Sequence, residues 1–185
     1  MTLTFKQYQE GARSTAIYPN IGSNIAYPTL GLAGECGELY SKLSSVHSIS
    51  TLDDETREDL QKEVGDLFWY IASIASEFKI SLGDFESYFY DSEAEYLSTN
   101  MGYISLPKSV GKVCERVKKI LRDKNGWWVE ADQIVIKKDL AEVLSDISAI
   151  CYWLGFQFRD VAQANLDKLA SRKLRGVLQG SGDNR

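Results

Sequence analysis

Apolar residues return along this chain with the 3.6-residue period of amphipathic helices. Over residues 54–78, Leu60, Val64, Leu67, Phe68 and Ile71 recur at spacings of three and four, a stripe that predicts one buried helix face. A second helix is predicted over 29–43. Pro28 suits its first turn, where a missing N–H does no harm, and Asp53, Asp54 and Glu55 give the 54–78 helix an acidic start. The Ser-rich stretch SSVHSISTLD between them is an expected loop. Ser81 followed by Asp84 reads as a cap opening a helix towards Asn100. Gly102 and Pro107 are expected to break the pattern over 101–107. The stripe resumes over 108–123 through Val110, Val113, Val117, Ile120 and Leu121. Lys124-Asn125-Gly126 reads as a turn and WWVEADQIVI as a short extended piece. Further helices are predicted over 137–154 and 158–178. No stretch alternates strongly enough for a sheet, so the expected fold is all-α.

Some features of the first half return in the second. Glu63 and Asp66 in KEVGDL lie over Asp139 and Glu142 in KDLAEV, and ISLGDF lies over FQFRDV at the same offset. With one residue of slippage, GECGE at 34–38 lies over GKVCE at 111–115. The expected organisation is a single domain over 1–185. Repeat one covers about 25–100 and repeat two about 104–178, together forming a pseudo-dimer.

Composition narrows the partners. The chain has 185 residues, 44% hydrophobic, enough for one packed domain or two repeats sharing a core. A net charge of −5 leaves no basic surface for gripping nucleic acid. No apolar run approaches the roughly 18 residues of a membrane span, and MTLTFKQYQEG lacks the pattern of an export signal. Cys36, Cys114 and Cys151, without a C-x-x-C, read as reduced thiols, so a cytoplasmic location is expected. The single histidine, His47, makes a His-rich zinc site impossible. Any Ser-His-Asp triad would rest on that one residue in a Ser-rich loop. The four tryptophans are expected mostly in the core.

The candidate chemistry is carboxylate. Glu35 and Glu38 are three apart on one predicted helix, and Glu63 and Asp66 are three apart on the next, so each pair shares a helix face. Antiparallel packing would bring all four together, where like charges raise one another's pKa. Divalent cation relieves that repulsion, and oxygen ligands without His or Cys suit Mg²⁺ or Mn²⁺ rather than zinc. Glutamates are common on solvated helix faces, but Glu35 and Glu38 sit in a run with scarcely another charge, YPTLGLAGECGELY. There Gly34 and Gly37 are expected to permit close helix approach. Glu63 and Asp66 precede the apolar LFWYIASIA, and charges beside core need partners. A ferritin-like di-iron site wants Glu-x-x-His, which His47 does not supply.

GLAGECGEL followed by KEVGDLFWY resembles the E-x-x-E…E-x-x-D signature of the MazG-like all-α nucleoside triphosphate pyrophosphohydrolases, a superfamily that includes dimeric dUTPases. The segment 165–176, NLDKLASRKLRG, with the tail GSGDNR, is similar to the C-terminal helix and tail of phage and bacterial members. The resemblance implies Mg²⁺-dependent hydrolysis of (d)NTP to (d)NMP and pyrophosphate, with Mn²⁺ able to substitute, in a homodimer or homotetramer. It implies that Glu35, Glu38, Glu63 and Asp66 are the metal-binding and catalytic set, with Glu38 taking a proton from water. It implies that Lys168, Arg172, Arg175 and Lys42 hold the phosphates, and that Asn165 bonds the sugar or a phosphate. The phage-like tail directs the substrate expectation to a purine nucleotide such as dGTP. A dUTPase-like enzyme and a non-catalytic nucleotide-sensing scaffold are the alternatives.

The chain departs from the single-repeat pattern in both halves. Lys112 stands where repeat two would carry the first glutamate, although Glu115, Asp139 and Glu142 persist. Phe89, Ser92 and Tyr96 stand in repeat one where repeat two has Asn165, Lys168 and Arg172. One complete site assembled across the halves is therefore expected, with Lys112 disfavouring a second metal cage.

Overall fold

The computed structural model describes residues 3–46, 52–86 and 102–179, with side chains from 105 in the last segment. His47, Phe89, Ser92, Tyr96 and the tail 180–185 lie outside the described residues. None of the described residues is in a strand, and the all-α expectation holds.

The helices in chain order are α1 (Phe5–Ser14), α2 (Ala26–Leu43), α3 (Asp54–Glu77), α4 (Gly102–Lys124), α5 (Glu130–Leu154) and α6 (Phe158–Leu174), with a short 3-10 turn at Leu82–Phe85. Helix α3 is central, with α1, α2, α5 and α6 packed on it. Helices α4 and α5 pair closely, and α2 also packs on α4. The stripe residues Leu60, Val64, Leu67, Phe68 and Ile71 are all fully buried, as their spacing requires. Asp53 caps α3, accepting from the Thr56 N–H at 2.7 Å. Around α3 the rings of Tyr8 and Phe68 stack at 4.1 Å, and Phe158 meets both Phe5 and Phe68 edge-on. Buried apolar residues from every helix form one continuous cluster.

Several boundaries differ from expectation. Helix α1 is unforeseen: Thr4 and Gln7 form a capping box, and Phe5, Tyr8 and Ala12 are its short buried stripe. The expected break is overturned over 102–107, because α4 begins at Gly102 and runs through Pro107; position 101 lies outside the described residues. Leu106 and Val110 are buried on either side of Pro107, so tertiary packing overrides the local preference. Of WWVEADQIVI only Val129, at φ −120° and ψ 168°, is shown extended, and Trp127 and Trp128 belong to no element. Asp132 accepts from the Val129 N–H at 2.9 Å and so starts α5 at Glu130. Helix α6 stops at Leu174 rather than 178, closed by Gly176 at φ 71° with the Val177 N–H on the Arg172 carbonyl. The helix expected over 81–100 is a 3-10 turn at its start, and positions beyond 86 lie outside the described residues.

Two packing expectations are also corrected. A Cβ added to Gly34 or Gly37 would meet nothing within 4 Å, so these glycines face solvent and admit no helix. Gly31 does that work instead: its Cβ would lie 2.0 Å from Tyr70 Cε1. The tryptophans are not core residues either. Trp127 is 76% exposed, and Trp69, Trp128 and Trp153 are half-buried at the margin of the core. Cys36, Cys114 and Cys151 are free thiols. No helix among the described residues is long and apolar enough to cross a membrane.

Candidate functional site

Packing of α2 on α3 brings Glu35, Glu38 and Glu63 together, each offering an oxygen within 4.8 Å of the others. Glu63 is buried, Glu35 half-buried and Glu38 exposed. Glu63 Oε1 accepts Lys42 Nζ at 2.7 Å, while its Oε2 is buried with no hydrogen-bond partner among the described residues. Burial first, and then the charges of Asp66, Glu38 and Glu63, push the Glu35 carboxyl up to about 8, with Lys168 pulling the other way. The repulsion expected from the spacing is therefore present.

Asp66 acts on Glu35 by its charge but is not in the three-carboxylate group, and its oxygens are taken by other partners. Lys168 Nζ donates to both of its oxygens, each at 2.7 Å, and Asn165 Nδ2 donates to Oδ1 at 2.9 Å. Asn165 is buried and accepts the Tyr8 hydroxyl at 2.8 Å. Burial, reinforced by the Asp66 charge, holds that hydroxyl well above its ordinary pKa and keeps it a donor. Gly65 lets α6 come this close, since a Cβ there would meet Asn165 Cβ at 3.0 Å.

Beside Glu35 and Asp66 opens a cavity of about 370 Å³. Tyr18, Tyr27, Trp69 and Tyr70 line it, with buried Arg172 from α6. Tyr18 and Tyr27 stack at 4.9 Å, and Trp69 stands edge-on to both Tyr18 and Tyr70. Arg175, exposed at the end of α6, is not part of the lining.

The residues that sequence reasoning missed are those shaping this cavity. Glu77, at the end of α3, accepts from Arg13 Nη1 at 2.8 Å, the Tyr18 hydroxyl at 2.7 Å, and the N–H groups of Gly22 and Asn24 at 2.9 and 2.8 Å. Burial alone would raise its pKa, but these four donors outweigh it and hold the carboxyl below its ordinary value. A signal was available: Glu77 ends the apolar run IASIASEF, the same charge-beside-core pattern that marked Glu63.

In the second half, each matching carboxylate meets a cation. Lys112 pairs with Glu142, Arg116 Nε donates to Asp139 at 3.0 Å, and Glu115 lies against Lys118 and Lys119.

The chain is a distant homologue of a phage protein. The Gene 37 protein of Mycobacterium phage L5 is 28% identical to it over 185 residues, spanning 96% of each chain. No family model and no solved structure matches the chain.

Proposed function

We propose that this chain is a divalent-cation-dependent nucleoside triphosphate diphosphohydrolase, converting (d)NTP and water to (d)NMP and pyrophosphate. The observation that carries the reading is the buried, unpartnered Oε2 of Glu63 among three carboxylates, beside an aromatic-walled cavity. Leaving such an oxygen unsatisfied costs about 1–3 kcal/mol or more, which a hard cation would remove. An all-oxygen donor set favours Mg²⁺, with Mn²⁺ able to substitute. Glu35, Glu38 and Glu63 would hold it, with Asp66 as a fourth ligand. Bound there, the cation supplies charge neutralisation at the phosphates and a more acidic water.

The chain's own residues do the rest. Glu38, the exposed member of the three, is assigned as acceptor of the water proton. The water oxygen bonds to phosphorus, the bridging P–O bond breaks, and pyrophosphate leaves with its charge met by Lys42, Lys168 and Arg172. Asn165 uses both ends of its amide on Tyr8 and Asp66, so its assigned role is to hold Asp66 rather than the sugar. Arg175, off the cavity lining, is left a peripheral attraction for phosphate. The rings of Tyr18, Tyr27, Trp69 and Tyr70 would take the base.

The reading includes the pseudo-dimer of two repeats, with a single metal cage in the first. Glu115, Asp139 and Glu142 are all paired with Lys or Arg, whereas no ion pair among the described residues falls on Glu35 or Glu38, and this supports that division. It also includes a homodimer or homotetramer, which light scattering would detect. Pyrophosphate release from a panel of dGTP, dATP, dCTP, dTTP and dUTP with Mg²⁺ tests the activity. Release that Glu38→Gln abolishes is the expected result, with dGTP leading. Release from dUTP alone would select the dUTPase-like alternative. Tight binding without release would select the sensing scaffold.

A further inference from the structure

Two lysines from different elements hold the carboxylates of this site. Lys168 of α6 covers both oxygens of Asp66, and Lys42 of α2 covers Oε1 of Glu63. An ammonium donates but cannot ligate a metal, so Lys168 and a cation compete for both oxygens of Asp66, and at Glu63 Lys42 competes by its charge and by holding one of the two oxygens. We propose that Lys168 and Lys42 are exchangeable counter-ions. They neutralise Asp66 and Glu63 until metal arrives, then pass to the phosphates, so that metal and triphosphate bind with positive coupling. The proposal rests on the triphosphate reading above.

Three observations favour exchange over a fixed structural pair. First, Asp66 has a second anchor: Asn165 donates to it and is itself fixed by Tyr8, so the carboxylate keeps its place when the lysine leaves. Second, the lysine side chains retain 16% and 33% exposure, and each flexible stem can move its head without unpacking a helix. Third, Arg172 lines the cavity that begins at Asp66 and Glu35, so a triphosphate reaching it would bring acceptors alongside Lys168. Drawing Lys168 onto phosphate frees Asp66 for metal. By thermodynamic reciprocity, metal on Asp66 then frees Lys168 for phosphate.

The test separates binding from turnover. The first arm is calorimetric titration with Mg²⁺ alone after EDTA treatment. Lys168→Met is expected to bind Mg²⁺ roughly tenfold more tightly than wild type, about 1.4 kcal/mol of competition removed. The second arm titrates α,β-imido analogues of dGTP and dUTP with and without Mg²⁺. Wild type should gain analogue affinity steeply when Mg²⁺ is added, while Lys168→Met binds the analogue more weakly and gains less. Lys42→Met should shift both arms in the same direction. Equal or weaker Mg²⁺ binding by Lys168→Met, with its melting temperature unchanged, would overturn the exchange. A fall in melting temperature with both affinities weakened would mark the lysine as structural and overturn it too. Wild type that binds Mg²⁺ but neither analogue would sink the triphosphate reading, and wild type that binds no Mg²⁺ would sink both.

Discussion

Tyr18 donates its hydroxyl to Oε1 of Glu77 at 2.7 Å, tying the cavity wall to the far end of the helix that carries Glu63 and Asp66. Arg13 donates to the same oxygen, and the Gly22 and Asn24 N–H groups complete the set. One buried carboxylate thus fixes the chain between α1 and α2.

Glu77→Gln should be costly. It removes the charge that Arg13 and Tyr18 are arranged around; Arg13 is 31% exposed, so the loss is that of charged hydrogen bonds, about 1.5–3 kcal/mol. Urea denaturation at neutral pH measures it. The same carboxyl sets an acid limb. Its folded pKa lies below the ordinary 4.5, so its stabilisation is present above that value and lost as pH falls through the folded pKa. The variant should lack this part of the acid dependence. An unchanged acid limb would mean that the four donors do not hold Glu77 ionised.

Glu35 should act with the opposite sign. Its folded pKa of about 8 lies above the ordinary 4.5, so the folded state binds the extra proton. Stability should therefore decline as pH rises through that window. In EDTA-treated protein, Glu35→Gln should raise the melting temperature near pH 8 and change it little near pH 5. Mg²⁺ should offset the decline in wild type and do much less in the variant. A variant that melts below wild type at both pH values would contradict the crowding of charges at this site.

Gly31 and Gly34 make a matched pair on α2. A Cβ at Gly31 would run into the Tyr70 ring, which packs edge-on against Trp69 and lines the cavity. Gly31→Ala should cost about 1–3 kcal/mol through overpacking. A Cβ at Gly34 meets nothing within 4 Å, so Gly34→Ala should gain about 0.5–1 kcal/mol from helix propensity alone. Thermal melts of the two variants should shift in opposite directions.

That contrast shows where sequence reading succeeded and where it stopped. The stripe from Leu60 to Ile71 was legible because burial of one helix face imposes its own period. Glu35, Glu38 and Glu63 were legible because i, i+3 carboxylates in apolar surroundings share a face and need partners. Which glycine a helix packs over was not legible, since Gly31, Gly34 and Gly37 differ only in the direction each faces. Pro107 misled because its local cost is outweighed by Leu106 and Val110 in a core formed by other helices. Glu77 itself was marked by its place beside the core, but its donors were out of reach for a related reason. Its donors, Arg13, Tyr18, Gly22 and Asn24, lie more than fifty residues away along the chain. The lysine on Asp66 came from the same kind of long-range pairing, between α3 and α6.

The proposed division of labour between the halves gives the last prediction. The first half offers Glu35, Glu38 and Glu63, the last with Lys42 on Oε1 and no partner on Oε2. The second half offers Glu115, Asp139 and Glu142, each already matched to Lys or Arg. If metal sits only in the first set, Glu38→Gln should abolish pyrophosphate release while leaving the helical circular dichroism intact. Glu115→Gln and Glu142→Gln should retain most of the activity, because their loss leaves only exposed lysines unpaired. Asp139→Asn should lose stability rather than activity, since Asp139 is buried and Arg116 would lose its charged partner. Arg172→Gln should lower kcat/KM by about 2–4 kcal/mol of transition-state stabilisation, the usual loss for a charge contact at a reacting phosphate. Titration with an α,β-imido analogue should saturate at one site per chain. Saturation at two sites, or a strong loss of turnover in Glu142→Gln with none in Arg172→Gln, would place the working site in the other half. The decision rests on charge: in the first half Glu63 and Asp66 carry lysines but no ion pair among the described residues falls on Glu35 or Glu38, whereas Glu115, Asp139 and Glu142 are all paired, and a fully paired cage holds divalent metal poorly against a triphosphate that competes for it.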